Sequence, residues 1–532
     1  MKNKKRISMS KKFLFENLIN IQIMFFVLFQ PIIDIGRTFL ENRIEIAGIS
    51  ILEIINMLFI GSIAFSFIIK HRRQKKYIIP IFIYGIMFVT YLVFHIWNIL
   101  QFEQEILHGC DINIIKETYY IIRVYMIPII FFFIFLCERP NKRIVVKTLM
   151  GLSLIISLNI VLTNIFKVAF ISYSSTFEHN KMIEKNIIDW FLNPDYANPS
   201  YMTSKGWFYI ANQIGIILFM LFPIIFMFLM KSRSKYVYIL VILNGIAMIM
   251  VGTKVGTVGC IGVLICAIMI WFVFGVILSQ FKTRRRDMLF IGGMSVILIM
   301  IFIYSPVFRV SEERNEAYEI SAMEQNTKEQ MQEPIEEPIE EIISEEDIPA
   351  QNDKKEFLIE QLENYPYAYG ISPEFTELFD VRENYTFWEE VINSDIEKRV
   401  NYRNFKIKIY KAVIEKNHNR FDEFLGIGYT SNFPYVEKDF VSQYIWFGYA
   451  GLFILIGPYY FIFIYSLGLA LKNIKTHFRY ENILLGMSIL GSSLLAGLAG
   501  HLFNGVFSII IFALVTALFY HFQIYLKCNI RD

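Results

Sequence analysis

Twelve apolar stretches recur along the chain of 532 residues, at about 14–34, 47–69, 77–99, 117–137, 148–169, 207–230, 236–252, 255–280, 288–308, 441–470, 482–502 and 504–526. A hydrocarbon core about 30 Å thick needs about 20 helical residues to cross it, so each stretch can span with some tilt. Inside lipid a backbone must satisfy its own polar groups, which leaves helices or closed barrels, and runs of this kind read as helices. The expected fold class is an all-α polytopic membrane protein with about twelve transmembrane helices. Composition agrees: 19% of residues are charged and 55% hydrophobic, whereas soluble chains run nearer a quarter charged.

The basic loops set the expected topology, because Lys and Arg close to a span stay on the cytoplasmic side. With the N-terminal KNKKRISMSKK inside, every second loop is basic: KHRRQKK (70–76), ERPNKR (138–143), KSRSK (231–235), KTRRR (282–286) and KNIKTHFR (472–479). Both termini are then cytoplasmic in a multi-pass protein of the cell membrane, the first apolar run being a retained anchor without a small-residue cleavage site. The same parity places 170–206 and one large loop, between the ninth and tenth helices, outside. The expected organisation is a membrane domain over 1–308, an extracytoplasmic loop over 309–440, and a second membrane part over 441–532. Within the loop, 309–356 is acidic, with EPIEEPIEEIISEED at its core and a composition that predicts disorder. Residues 357–440 regain aromatics and helical spacing (Val400, Phe405, Ile409, Val413) up to a Gly-x-Gly stop.

A net charge of +3 gives no argument for a nucleic-acid partner. The five cysteines (Cys110, Cys137, Cys260, Cys266, Cys528) include no CxxC pair, which excludes a disulfide framework and a zinc cage. No GxxxxGK[ST] phosphate loop, HExxH, GxSxG or DxD motif is present, so ATP-driven transport and zinc catalysis are poor fits and no cofactor is expected. A reaction at the outer face then needs a substrate that arrives already activated, such as a lipid diphosphate carrying a sugar chain.

Four constellations point to such chemistry. GWFYIANQ (206–213) places Trp207 and Tyr209 at an outer interface, where an aromatic belt would use the same residues, and Asn212 one turn into an apolar helix, where an unpaired amide is costly. VGTKVGTVG (251–259) puts Lys254 outside in a tight turn of small residues, positioned for phosphate or snorkelling to the interface. Arg399 and Arg403, four residues apart, share a helix face and can bind phosphate bidentately. Glu437 and Asp439 lie at the outer entrance to the tenth helix, as capping carboxylates or as a general base. Arg123, inside YYIIRVYMIP, is an intramembrane charge explained by either a lipid-diphosphate contact or a structural ion pair.

Taken in order, QPIIDIG (30–36), GWFYIANQ, GTKVGTVG (252–259), the Arg399/Arg403 helix leading to LGIGY (425–429), EKDFVSQYIWFGYAGL (437–452) and AGHLF (499–503) resemble the O-antigen ligase and O-antigen polymerase superfamily, in a divergent Gram-positive form. The resemblance implies a membrane-integral, GT-C-like inverting glycosyltransferase, independent of metal and ATP. Its substrate would be a polyprenyl-diphosphate-linked glycan, transferred to a glycan or cell-wall acceptor in building capsule or exopolysaccharide. In the ligases a histidine eleven residues before a glycine is the base; here that position, counted back from Gly448, is Glu437, with Asp439 as second candidate and His501 of AGHLF as a source of imidazole. The implied roles are diphosphate stabilisation by Lys254 and Arg403, with Arg399 second, and a cavity lined by Asn212 and His501. Trp207 and Tyr209 would cradle sugar or lipid. A transporter or flippase of lipid-linked oligosaccharide is the rival reading, since twelve helices and intramembrane charges such as Arg123, Glu53 and Asp34 suit it equally; the two halves show no convincing internal repeat.

Overall fold

The computed structural model describes residues 2–40, 45–46, 49–108, 112–138, 142–173, 181–192, 199–231, 234–309, 347–394, 402–429 and 436–525. Among the described residues nine apolar helices precede the large loop: α1 (Lys2–Leu40), α2 (Ile51–His71), α3 (Lys75–Ile99), α4 (Ile114–Cys137), α5 (Lys142–Ile165), α6 (Ala211–Lys231), α7 (Lys235–Met250), α8 (Lys254–Ile277) and α9 (Arg285–Ile303). The loop contributes α10 (Asp347–Asn364), α11 (Pro373–Leu378), α12 (Tyr385–Ile392) and α13 (Tyr402–Asn417), and the bundle closes with α14 (Asp439–Lys472), α15 (Tyr480–Ala499) and α16 (Val506–Tyr525). The protein is an all-α polytopic membrane protein; among the described residues its strands are two short antiparallel pairs.

Eleven of these helices are long and apolar enough to cross a membrane among the described residues. The twelfth expected run, 236–252, forms only the 16-residue α7, about 24 Å long at 1.5 Å per residue. It ends early because Gly252 turns the chain at φ 64°, where a Cβ would run into the Thr203 side chain, and Thr253 already caps α8 by accepting from the Gly256 N–H. The acidic tract EPIEEPIEEIISEED and Arg399 lie outside the described residues, apart from its last residue Asp347 at the start of α10.

Burial sorts the helices into layers. In α6, apolar on nearly every face, almost every residue is buried, and it packs against α5, α7, α8, α15 and α16. A helix apolar all round belongs inside. At the periphery, little of α3 is buried, and its outward Phe82, Val89 and Val93 form a lipid-facing surface.

Successive helices cross in alternate directions, so the ends of α1, α3, α5, α7, α9 and α15 meet the starts of α2, α4, α6, α8, α14 and α16 at one end of the bundle. Cross-helix hydrogen bonds tie that end together, among them Arg37 to Glu53 and the Tyr209 N–H to Asp34. The other end carries the basic turns, held by Lys70 and His71 on Glu138 and by His477 on the Gln523 carbonyl.

The loop is joined to that first end by backbone as well as side chains. Gly426 and Gly448 face each other, both at positive φ (85° and 64°), and a Cβ on either would collide with the other strand's main chain. At Gly448 α14 departs from helical geometry. The carbonyls of Ile445 and Trp446 accept from the N–H groups of Ile427 and Gly428 instead, both at 3.0 Å. Beside this seam the end of α3 grips the loop: Asn98 donates to Asp422 (2.9 Å) and to the Gly426 carbonyl (3.0 Å), and His95 bridges the Leu425 carbonyl (2.7 Å) and Glu117 (3.1 Å).

Candidate functional site

The Gly426–Gly448 seam brings the first turn of α13 over the start of α14 and the end of α15. Arg403 donates from Nε to Glu437 Oε2 at 2.7 Å and from a second guanidinium nitrogen to the same oxygen; its third nitrogen lies 3.5 Å from the Leu498 carbonyl. A cation is favoured at that helix C-terminus. Both partners remain reachable, with side-chain exposures of 40% and 39%.

Two residues further on the environment reverses. Asp439 is fully buried and its carboxylate accepts from the N–H groups of His501 (2.7 Å), Leu502 (2.6 Å) and Phe503 (2.9 Å), in the turn between α15 and α16. Gly500 and His501 both take positive φ there, 69° and 72°; such a conformation costs a side-chain-bearing residue energy and needs outside support. Asp439 supplies it. Its carboxylate, foreseen as a cap or as a general base, is engaged here by three backbone amides of another turn.

His501, held by this turn, lies within electrostatic reach of Asp439, Glu437 and Arg403. Burial keeps its imidazole below the usual range against the pull of the two carboxylates, with Arg403 adding to the fall. The ring is therefore neutral at pH 7. Asn504 Nδ2 lies 3.1 Å from its Nδ1; an amide donating there leaves the ring proton on Nε2. Lys406, one turn along α13 from Arg403, has its ammonium pulled down by burial, opposed by Glu374 and Glu437. It belongs to the same corner, although nothing in its sequence context separates it from the neighbouring surface lysines.

A second cluster surrounds Arg123. Its guanidinium pairs with Glu53 of α2, which also receives the Tyr119 hydroxyl and, at 3.1 Å, Arg37 of α1. Two cations thus share one carboxylate. Arg123 makes an ion pair with Glu53, one of the two explanations open for it, and among the described residues its Nε is buried without a partner. Tyr120 lies under the guanidinium (5.5 Å) and stacks on Tyr429 of the loop, ring centres 3.6 Å apart. Tyr125, one turn on, donates to Gln443 of α14. The Arg123 cluster therefore adjoins the turn of α14 that follows Asp439.

The GWFYIANQ segment meets α1. Trp207 is pinned by its indole N–H to the Val168 carbonyl (2.8 Å) and stands edge-on to Phe39, and the Tyr209 N–H donates to Asp34 (3.1 Å). Lys205, just before them, is 1% exposed and donates to the Tyr209 carbonyl (2.9 Å); burial pushes its ammonium down to about 8, with Asp34 pulling the other way. A lysine in a loop between spans reads as solvated, so Lys205 carries no sequence signal of burial. Asn212 is partly exposed at the start of α6. Its neighbour Gln213 is 2% exposed and its Nε2, beside Gly505, has no partner among the described residues. On the same helix Gly215 lies against Thr253 and Gly256. Through α6 the turn that presents exposed Lys254 is thus linked to the His501 turn; Tyr173 fixes it from the other side through the Gly252 carbonyl (3.0 Å).

Of the residues singled out from sequence, Arg403, Glu437, Asp439 and His501 therefore form one constellation. Lys254 and Asn212 border it across α6, and Arg123 lies on its far side beyond Gln443. Trp207 and Tyr209 belong to the α1 contact.

A polytopic helical bundle that gathers buried and half-buried charges at one end, under a loop sewn to its tenth long helix, defines the class: an integral membrane protein with a polar site at a membrane boundary. The chain belongs to the family of O-antigen ligase like membrane proteins, whose profile matches residues 15–525. Comparison with curated proteins finds no match. The membership connects the chain broadly with ligation or polymerisation of polysaccharides.

Proposed function

We propose that the chain is an inverting glycosyltransferase acting on a polyprenyl-diphosphate-linked oligosaccharide at the outer face of the cytoplasmic membrane, polymerising or ligating a cell-surface polysaccharide. The observation that carries this reading is the reachable Arg403–Glu437 pair beside His501. In this reading residues 357–440 form the catalytic side of an extracytoplasmic loop, set on membrane parts 1–308 and 441–532.

At rest Arg403 holds Glu437. An arriving diphosphate offers the guanidinium a more highly charged, bidentate partner, and Glu437 is released next to the departing bond. The acceptor hydroxyl then attacks the anomeric carbon from the face opposite the diphosphate. A carbon–oxygen bond forms to the acceptor, the bond from the anomeric carbon to the phosphate oxygen breaks with its electron pair, and the hydroxyl proton passes to Glu437. Arg403, with Lys254 across α6, stabilises charge growing on the leaving diphosphate, an effect worth a few kcal/mol per well-placed donor. His501 donates from Nε2 to sugar or phosphate, while Asn212, Trp207 and Tyr209 line the approach. Arg399 is a further candidate for the diphosphate, and Arg123 would join it only by leaving Glu53. No nucleotide or metal enters the scheme.

The test is a reconstituted reaction of purified protein with a polyprenyl-diphosphate oligosaccharide, without nucleotide and with chelator, beside Arg403→Ala. A ladder of longer lipid-linked glycans, lost in the variant, means polymerisation. Transfer to an added acceptor with release of lipid diphosphate means ligation. Movement of intact lipid-linked glycan across the vesicle bilayer, without transfer, overturns the reading in favour of a transporter.

A further inference from the structure

The end of the bundle opposite Arg403 holds a cavity of about 670 Å³ between the last turn of α6, the segment joining α8 to α9 and the segment joining α14 to α15. Five cations line it: Lys231, Lys282, Arg284, Lys475 and Arg479. All five are exposed, and none is in an ion pair with another described residue. Two carboxylates, Asp287 and Glu481, also line the wall, and Asp287 is engaged by the Tyr238 hydroxyl. Among the described lining residues the cations therefore outnumber the carboxylates by three, in one concave space.

The frame is built rather than incidental. Gln280 donates to the Phe478 carbonyl (2.7 Å) and accepts from the Tyr480 N–H (3.4 Å), which locks the two connecting segments together. Phe281 packs edge-on against Tyr480 and Phe274 against Phe478, each at 5.0 Å. The depth is also informative. The cavity lies where α6 ends and α9 and α15 begin, so its mouth is at the level where apolar spans give way to lipid headgroups, and Leu229, Met230 and Phe281 supply apolar wall on the membrane side.

We propose that this cavity binds a phosphate-bearing anion, supplied by the headgroup of an anionic phospholipid. Basic pockets between transmembrane helices are suited to this, each cation near the surface contributing about a factor of five in affinity. The site is separate from the glycosyl-transfer site at the other end, and its occupancy is read by binding alone, so either reading can fail without the other.

The experiment titrates the full-length protein in neutral detergent with three soluble probes: dioctanoyl phosphatidylglycerol, dioctanoyl phosphatidylcholine and inorganic phosphate. The parent is compared with Arg284→Ala/Arg479→Ala and with Arg284→Lys/Arg479→Lys; both positions are exposed, and circular dichroism checks that each variant is folded. The expected result is saturable binding of phosphatidylglycerol, absent for phosphatidylcholine, roughly thirtyfold weaker in the alanine variant and largely kept in the lysine variant. Unchanged affinity in the alanine variant, or equal binding of both lipids, overturns the proposal. Inorganic phosphate binding as tightly as phosphatidylglycerol, with the same loss in the alanine variant, overturns the lipid as the source and leaves a site for a free anion.

Discussion

Two arginine–carboxylate clusters occupy the same end of the bundle and are built on opposite terms. Around Glu53, Arg37 and Arg123 converge on one buried carboxylate, among tyrosines, inside the helices. At the corner of α13, α14 and α15, Arg403 and Glu437 pair one to one with about two-fifths of each side chain exposed. Removing one member of a buried pair leaves a charge without compensation, whereas an exposed pair gains little from being closed. The buried cluster is therefore committed to holding α1, α2 and α4 together, and the corner pair is free to exchange partners. Reactivity is expected where the pairing is weak.

The largest expected effect is on stability. Glu53→Ala leaves two arginines facing each other and should lower the unfolding free energy by about 3–5 kcal/mol, read as loss of thermal stability in detergent; adding Arg123→Met should recover part of it. Arg403→Ala should do the reverse, cutting transfer by about a hundred- to a thousandfold while thermal stability changes by less than about 1 kcal/mol. If Arg403→Ala unfolds the protein and Glu53→Ala affects only turnover, the contrast is inverted and the corner is structural.

Glu437 and Asp439 sharpen the comparison at closer range. Glu437→Gln removes the proton acceptor and should lower kcat about a hundredfold with little loss of stability. Asp439→Asn places an amide against three backbone donors and should cost about 1.5–3 kcal/mol of stability, loosening the His501 turn. Equal effects of the two substitutions on turnover and stability would erase the distinction drawn between them.

The smallest effect concerns pH. Because the folded protein holds His501 below its usual value, the unfolded chain takes up a proton first as pH falls. The stability tied to the neutral ring is present above about pH 6.5 and is lost as pH falls below it, at no more than about 1.4 kcal/mol per pH unit. The melting temperature of His501→Gln should therefore decline less between pH 7 and pH 5.5 than that of the parent.

Much of this arrangement could be read before any coordinates. Apolar runs of spanning length specified the bundle because, in lipid, run length alone decides what crosses. Arg403 and Glu437 were legible from a helix and a helix entrance on the same loop. The contrast in surroundings between Glu437 and Asp439 was not, since it is made by backbone amides some sixty residues later, in a turn whose positive φ at a histidine has no sequence marker. The partner of Arg123 was hidden for a similar reason. Glu53 and Arg123 are both visible as intramembrane charges, but their meeting depends on how α2 and α4 pack. Lys205, in a connecting segment, and Gln213, in the first turn of α6, escaped notice because burial of a polar side chain is a property of the neighbours that cover it.

The seam between 427–428 and 445–446 bears on how this molecule can be handled. Its hydrogen bonds run from a loop strand to a membrane helix broken at Gly448, so each part completes the other's backbone. Excising the loop to obtain a water-soluble fragment would leave the fragment with orphaned donors and the helix with bare carbonyls near hydrocarbon, a costly state. Loop and bundle are accordingly expected to melt as one unit. Antibodies or stabilising partners raised against the isolated loop would meet a surface that the intact protein does not present.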